Sequence, residues 1–382
     1  MSRYHLKYHN RIRRRRHLDE TKAGPWVRLG LAILGPLLGV AALVLCIFLL
    51  GKDGKRPPKP SPTPLKVEAT PLPTATPMPL AAYAGERQVL DLSALEGLPL
   101  LEPHITKERI LFTSGGDEKS PHRLYAYDLA SQRLSRLNAV CQNDQLRRPV
   151  ENERYLAYLD LTREGRGDLR VKDKTTGKDT PFVNLLFDAP RLFLSGTYLA
   201  YTARTGTEGA ELYLADLESR SGITLARFKG SAFGASLPDL RGDQLVYADL
   251  LSNGTEGLVQ VNLTTGKRTE TTLTAPVQNP KLGNGFVAYE TGLLRPGLAA
   301  LLPEGRILTL ADWSQGFGVT EDYVVYQQED QLFAIEPLTG MGFAVTDASE
   351  KAALLAVGDG LVFARIDDHY EIFTLEYTYG EG

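Results

Sequence analysis

The sequence predicts an all-β chain, a seven-bladed β-propeller set behind an N-terminal transmembrane helix and a Pro-rich linker. Six blades plus a decorating sheet is the alternative. Three observations carry this. An apolar pair followed by an aromatic residue recurs seven times at intervals near 40 residues. Short alternating runs follow the anchors, and in several units a glycine turn comes next. No helical period interrupts the pattern from residue 86 onward. Several strands per unit at that period is the signature of propeller blades.

The unit is clearest in residues 197–226, TYLAYTARTGTEGAELYLADLESRSGITLA. It reads as strand, loop, strand, tight turn and strand. The anchors are Ile110-Leu111-Phe112, Leu156-Ala157-Tyr158, Leu199-Ala200-Tyr201, Leu245-Val246-Tyr247, Val287-Ala288-Tyr289, Val324-Val325-Tyr326 and Leu361-Val362-Phe363. Their aromatics lie 46, 43, 46, 42, 37 and 37 residues apart. They are expected between neighbouring blades as core, not as a ligand cage.

Ahead of five anchors stands a proline: Pro103, Pro149, Pro190, Pro238 and Pro280. Proline has no N–H to give to a ladder, so each is expected at the start of a short strand. After each loop comes an alternating run such as Leu212-Tyr213-Leu214-Ala215-Asp216 or Leu332-Phe333-Ala334-Ile335-Glu336. Turns such as Thr175-Thr176-Gly177-Lys178 and Thr264-Thr265-Gly266-Lys267 lead to a fourth strand. The last unit lacks that fourth strand, and residues 87–92, RQVLDL, form an orphan strand before the first. Adding the orphan to the last unit would close the ring and remove an exposed edge.

Proline, short strand, turn, LAY, loop, LYLADL and TG resemble the TolB-like and related WD40-like propeller repeats over about residues 86–377. Where those repeats carry Ser-Pro-Asp-Gly, this chain has looser turns such as Arg241-Gly242-Asp243. The resemblance implies the fold, and no functional residue is transferred with it.

Charge is nearly balanced, at −3 over 382 residues, but it is unevenly placed. Residues 1–28 form a basic tail containing Arg13, Arg14, Arg15 and Arg16. Residues 29–51, LGLAILGPLLGVAALVLCIFLLG, are uncharged and long enough for a bilayer core of about 20 residues. The run exceeds a signal-peptide core and lacks a small-x-small site directly after it. Leu45 before Cys46 is not the small residue a lipid attachment site needs. The positive-inside rule places the tail in the cytoplasm and the propeller outside the cell membrane. Residues 52–85 are a Pro/Thr-rich linker, extended by polyproline geometry, and residues 86–382 are the propeller domain. The two cysteines, Cys46 and Cys141, fall in different regions and are not expected to pair.

No catalytic, cofactor-binding or metal-ligating constellation stands out. There is no G-x-S-x-G elbow and no histidine in a metal spacing. Asp367-Asp368 beside His369 is the most suggestive polar group, and it reads as a solvated turn. Asp117, Glu118, Glu164 and Asp168 are acidic loop residues without the alternation of a calcium loop. Glu151 and Asp239 are the acids on inner strands that a channel-lining glycosidase would use. Loops 115–123, 163–168, 204–209, 251–257 and 291–297 are the expected ligand face. The sequence is therefore read as a membrane-anchored extracytoplasmic binding or scaffolding module of a bacterial envelope. It is read as not an enzyme and not a nucleic-acid binder, with a protein or envelope partner of unassigned identity. The rivals are an envelope-polysaccharide glycosidase or lyase, and a transmembrane sensor acting through the basic tail.

Overall fold

The computed structural model describes residues 80–378 except 96, 117–120, 187–188, 205–208, 230–235 and 293. The basic tail, the apolar stretch 29–51 and most of the expected linker lie outside the described residues. Among the described residues no helix is long and apolar enough to cross a membrane.

β1 (Leu80–Tyr83) and β2 (Arg87–Leu90) precede seven consecutive sheets. Blade 1 is β3 (Leu100–Ile105), β4 (Arg109–Ser114), β5 (Arg123–Asp128) and β6 (Arg133–Arg136). Blade 2 is β7 (Gln145–Glu151), β8 (Tyr155–Leu161), β9 (Gly167–Asp173) and β10 (Asp179–Leu185). Blade 3 is β11 (Leu192–Ser195), β12 (Tyr198–Arg204), β13 (Gly209–Asp216) and β14 (Ser221–Lys229). Blade 4 is β15 (Asp239–Arg241), β16 (Gln244–Leu250), β17 (Glu256–Asn262) and β18 (Arg268–Thr272). Blade 5 is β19 (Val277–Leu282), β20 (Val287–Thr291), β21 (Gly297–Leu301) and β22 (Ile307–Ala311). Blade 6 begins with β23 (Gly316–Val319), β24 (Val324–Gln328), β25 (Gln331–Glu336) and β26 (Met341–Ala344). Blade 7 holds β27 (Ala352–Gly358), β28 (Leu361–Ile366) and β29 (His369–Thr374), and β30 (Tyr377–Thr378) follows. The strands of each blade pair antiparallel in sequence order.

Each second strand carries an anchor because it is covered on both faces by neighbouring blades, so it reads as a continuous apolar run. The seven anchor aromatics are 0–7% exposed. Three stack on the residue directly opposite in the third strand: Phe112 on Tyr125, Tyr201 on Tyr213 and Tyr326 on Phe333, at 5.8, 5.2 and 5.5 Å. Phe228 of blade 3 meets Tyr247 of blade 4 edge-on at 6.0 Å, so the aromatics are the inter-blade core, as expected. Outer strands read differently: β18, RTETT, is mostly exposed and polar, which guards a free edge.

The prolines divide into two groups. Pro190 and Pro238 precede β11 and β15, as expected. Pro103, Pro149 and Pro280 instead lie inside β3, β7 and β19, where the ladder to the second strand slips. The residue before each has a left-handed φ: Glu102 at 54°, Arg148 at 51° and Asn279 at 49°. A bulge already leaves one N–H outside the ladder, so proline costs nothing there and can sit mid-strand.

Ring closure follows the expectation. β2 pairs antiparallel with β29, from Arg87↔Phe373 to Leu90↔Tyr370, and supplies the fourth strand of blade 7. Arg87 fastens it. Its Nε donates to Glu371 at 2.9 Å, its Nη2 to Glu350 at 2.6 Å, and its guanidinium lies 5.0 Å from the Phe373 ring centre. β1, within the stretch 52–85, adds parallel to β26 and antiparallel to β30, so blade 6 has six strands. Tyr83 packs on Phe343 and Phe373 and donates its hydroxyl to the Glu86 and Thr374 carbonyls.

The first strands, β3, β7, β11, β15, β19, β23 and β27, touch in turn, and β27 returns to β3. They form the wall of the central channel. Between β23 and β27 the approach is close enough to require glycine: a Cβ on Gly318 would stand 2.4 Å from the Cβ of Val357.

Candidate ligand site at the mouth of the central channel

The first strands run from the face that carries the second-to-third-strand loops. The pairs Leu100↔Ser114, Gln145↔Leu161 and Gly316↔Gln327 set the start of a first strand beside the end of a second. Residues early in β3, β7 and β11 therefore sit at the channel mouth on the expected ligand face.

There the bulges of blades 1 and 2 gather charge. Glu102 Oε1 accepts from Arg147 Nη2 at 2.5 Å and Arg148 Nε at 3.1 Å. Its Oε2 accepts from the Arg148 backbone N–H at 2.9 Å and the Thr113 hydroxyl at 3.0 Å. Burial pushes the Glu102 carboxyl up, but Arg147 and Arg148 outweigh it and hold the group below the usual carboxylate range. Arg191, just before β11, makes no hydrogen bond or ion pair among the described residues. Its side chain is open to water. The protein around it, then the Arg148 charge, still depress its pKa, with Glu102 opposing. Arg191 immediately precedes β11, one of the strands of the channel wall.

The corresponding bulge of blade 5 is neutral and already occupied. Asn279 Nδ2 donates to Glu290 at 2.6 Å, its Oδ1 accepts from the Leu237 N–H at 2.9 Å, and its N–H donates to Ser236 Oγ at 3.0 Å. It joins blades 4 and 5. The charged mouth thus belongs to blades 1–3.

The two inner-strand acids noted from the sequence are both engaged. Glu151, 4% exposed, forms a bidentate pair with Arg109 and meets Lys174 Nζ at 3.3 Å. Asp239 Oδ2 accepts from the Leu282 N–H at 2.8 Å. No facing pair of carboxylates arises from them. His104, deeper on β3, bonds the Glu151 carbonyl at 3.0 Å, and burial holds its pKa below the ordinary histidine value.

Asp367 and Asp368 are exposed in the turn between β28 and β29, as a solvated turn should be. With Asp330, Lys351 and Arg365 they border a cavity of about 450 Å³ between blades 6 and 7. His369 faces Glu371 at 2.7 Å and so belongs to the ring clasp. Asp168 accepts from Asn184 at 3.0 Å, Glu164 is exposed, and Asp117 and Glu118 lie outside the described residues. Cys141 is a free, exposed thiol. Among the described residues no three His, Cys, Asp or Glu side chains converge as a metal site would need. Glu102 and the arginines were missed in the sequence. Their available signal was the charged residue before a mid-strand proline, Glu102-Pro103 and Arg148-Pro149.

The chain matches no protein-family model and no curated protein. Solved structures similar to it include propellers. The β-propeller domain of the Trilobed protease from Pyrococcus furiosus, which has an open velcro topology, aligns at 12% identity. That match covers 73% of this chain and 95% of that one, with a TM-score of 0.55. Oligogalacturonate lyase from Vibrio parahaemolyticus aligns at 11% identity over 78% of this chain and 98% of that one, with a TM-score of 0.51. TolB from Acinetobacter baumannii aligns at 12% identity over 72% and 79%, with a TM-score of 0.38. Likeness at such identity is likeness of fold.

Proposed function

We propose that this propeller is a binding module that takes a polar ligand at its channel mouth, held outside a bacterial cell membrane by residues 29–51 and a proline-rich stalk. The observation that carries the reading is the Glu102, Arg147 and Arg148 cluster on first strands, with Arg191 at the head of the adjoining strand β11 and bonded to nothing among the described residues. Sites on strands hold their geometry better than sites on loops. The balance of basic residues before the apolar stretch supports the outward placement. An enzymatic reading would call on Glu151 and Asp239, and both are committed to partners.

The test is cross-linking on intact cells, followed by recovery through a C-terminal tag. A reproducible partner is expected, lost when the second-to-third-strand loops of blades 1–3 are exchanged. Equal recovery after exchange would move the site elsewhere. Protease treatment of intact cells should digest the propeller, and full protection would overturn its outward placement.

A further inference from the structure

The binding-module reading gives the site, and the charges there give the ligand's chemistry. We infer that Arg148 and Arg191 seat an oxyanion, a carboxylate or phosphoryl group of the ligand that enters the channel mouth. The inference rests on the proposed site and deepens it.

The first strands, with Arg191 at the head of β11, carry five cations: Arg147, Arg148, Arg191, Arg241 and Lys281. They carry three acids: Glu102, Glu151 and Asp239. Glu151 is neutralised by Arg109 and Lys174, which lie outside those strands. Arg241 is used by the Val319 carbonyl, at 3.2 Å, and Lys281 lies 5.8 Å from the Phe317 ring centre. At the mouth itself the Glu102 carboxylate pairs with Arg147 and Arg148, and Arg191 stands at the head of the adjoining strand β11. Arg147 spends its Nη2 on that carboxylate. Arg148 spends its Nε and its backbone N–H on it, and among the described residues its two terminal nitrogens donate to nothing. Arg191 donates to nothing among them either.

Two guanidinium groups left unspent on adjoining strands of the channel wall repel each other, and that repulsion falls when both bind one anion. Guanidinium forks match the paired oxygens of carboxylate and phosphate, so the group they favour is an oxyanion and not a spherical halide. Arg148 is also the left-handed residue of its bulge. A bulge re-aims its side chain, and a left-handed non-glycine residue is a conformation kept where geometry serves a site.

The test uses the full chain, purified in detergent. Its thermal midpoint is followed during titration with sodium phosphate or sodium succinate, against sodium chloride at equal ionic strength. Saturable stabilisation beyond chloride is expected with at least one of the two. Phosphate alone would indicate a phosphoryl group, succinate alone a carboxylate. Arg191→Gln should weaken that binding at least tenfold while leaving the midpoint in chloride unchanged or raised, because a repulsion has gone. Arg191→Lys should keep part of the affinity. Stabilisation no greater than with chloride, or unchanged affinity in Arg191→Gln, overturns the inference. Partner recovery on cells that survives Arg191→Gln would leave the binding module standing without its oxyanion seat. Oxyanion binding without any partner on cells would do the reverse.

Discussion

Glu102 makes the inter-blade contact on which the channel mouth depends, and its replacement can be read quantitatively. Glu102→Gln removes a charge that serves two arginines and should cost about 2 kcal/mol in urea unfolding at pH 7. The folded carboxyl titrates below its ordinary value. Its stabilisation is therefore complete above the unfolded value near 4.3 and disappears as pH falls through the lower folded value. The gap between wild type and Glu102→Gln should accordingly close below about pH 4. His104 works in the opposite range. Its folded pKa is depressed, so the unfolded chain takes up the proton first, and stability should fall as pH drops below about 6.5. His104→Gln should flatten that decline between pH 7 and 5, as followed by thermal midpoints. The anchors were legible because burial on two faces leaves only apolar and aromatic residues fit for the place. Glu102 was not, because an acid before a proline looks like the polar start of a strand. Where the register slips, it meets Arg147, Arg148 and Thr113.

A single strand decides whether the ring closes. β2 is short, and Val89 on it is 60% exposed, so beyond its ladder to β29 its hold rests chiefly on Leu90 and Arg87. Arg87→Ala leaves Glu371, 5% exposed, with only His369 and should cost about 2–3 kcal/mol. Hydrogen exchange should then quicken in β29 and β2 before other blades respond. Gly318 is the tightest point between two first strands. Gly318→Ala drives a methyl into Val357, and overpacking of this kind costs about 1–3 kcal/mol. The expected reading is a lower urea midpoint with an unchanged slope. β2 could be found in the sequence because the last unit visibly lacked a strand. β1 could not. It is a parallel addition to an outer edge, and LAAY carries no alternation that separates it from the proline-rich residues before it.

At the scale of the molecule, number and order were written in the repeat, and charge was not. Seven anchors gave seven blades. The charge at one channel mouth comes from Glu102, Arg147, Arg148 and Arg191, which have no common spacing and come near one another only when blades 1–3 pack side by side. A chain starting at Ser93 lacks β1 and β2 and leaves β29 with an open edge, so it should associate in sizing chromatography where a chain starting at Leu80 does not. The pairing of β1 with β30 has another outcome. Tyr83 stands opposite Tyr377, and Ala82 opposite Thr378, so the first and last described strands are neighbours in one sheet. A ring whose ends meet has no privileged point of entry. Joining position 378 to position 80 through a few glycines and cutting instead beside Leu294, which is 98% exposed between β20 and β21, should yield a circular permutant that folds to the same seven blades.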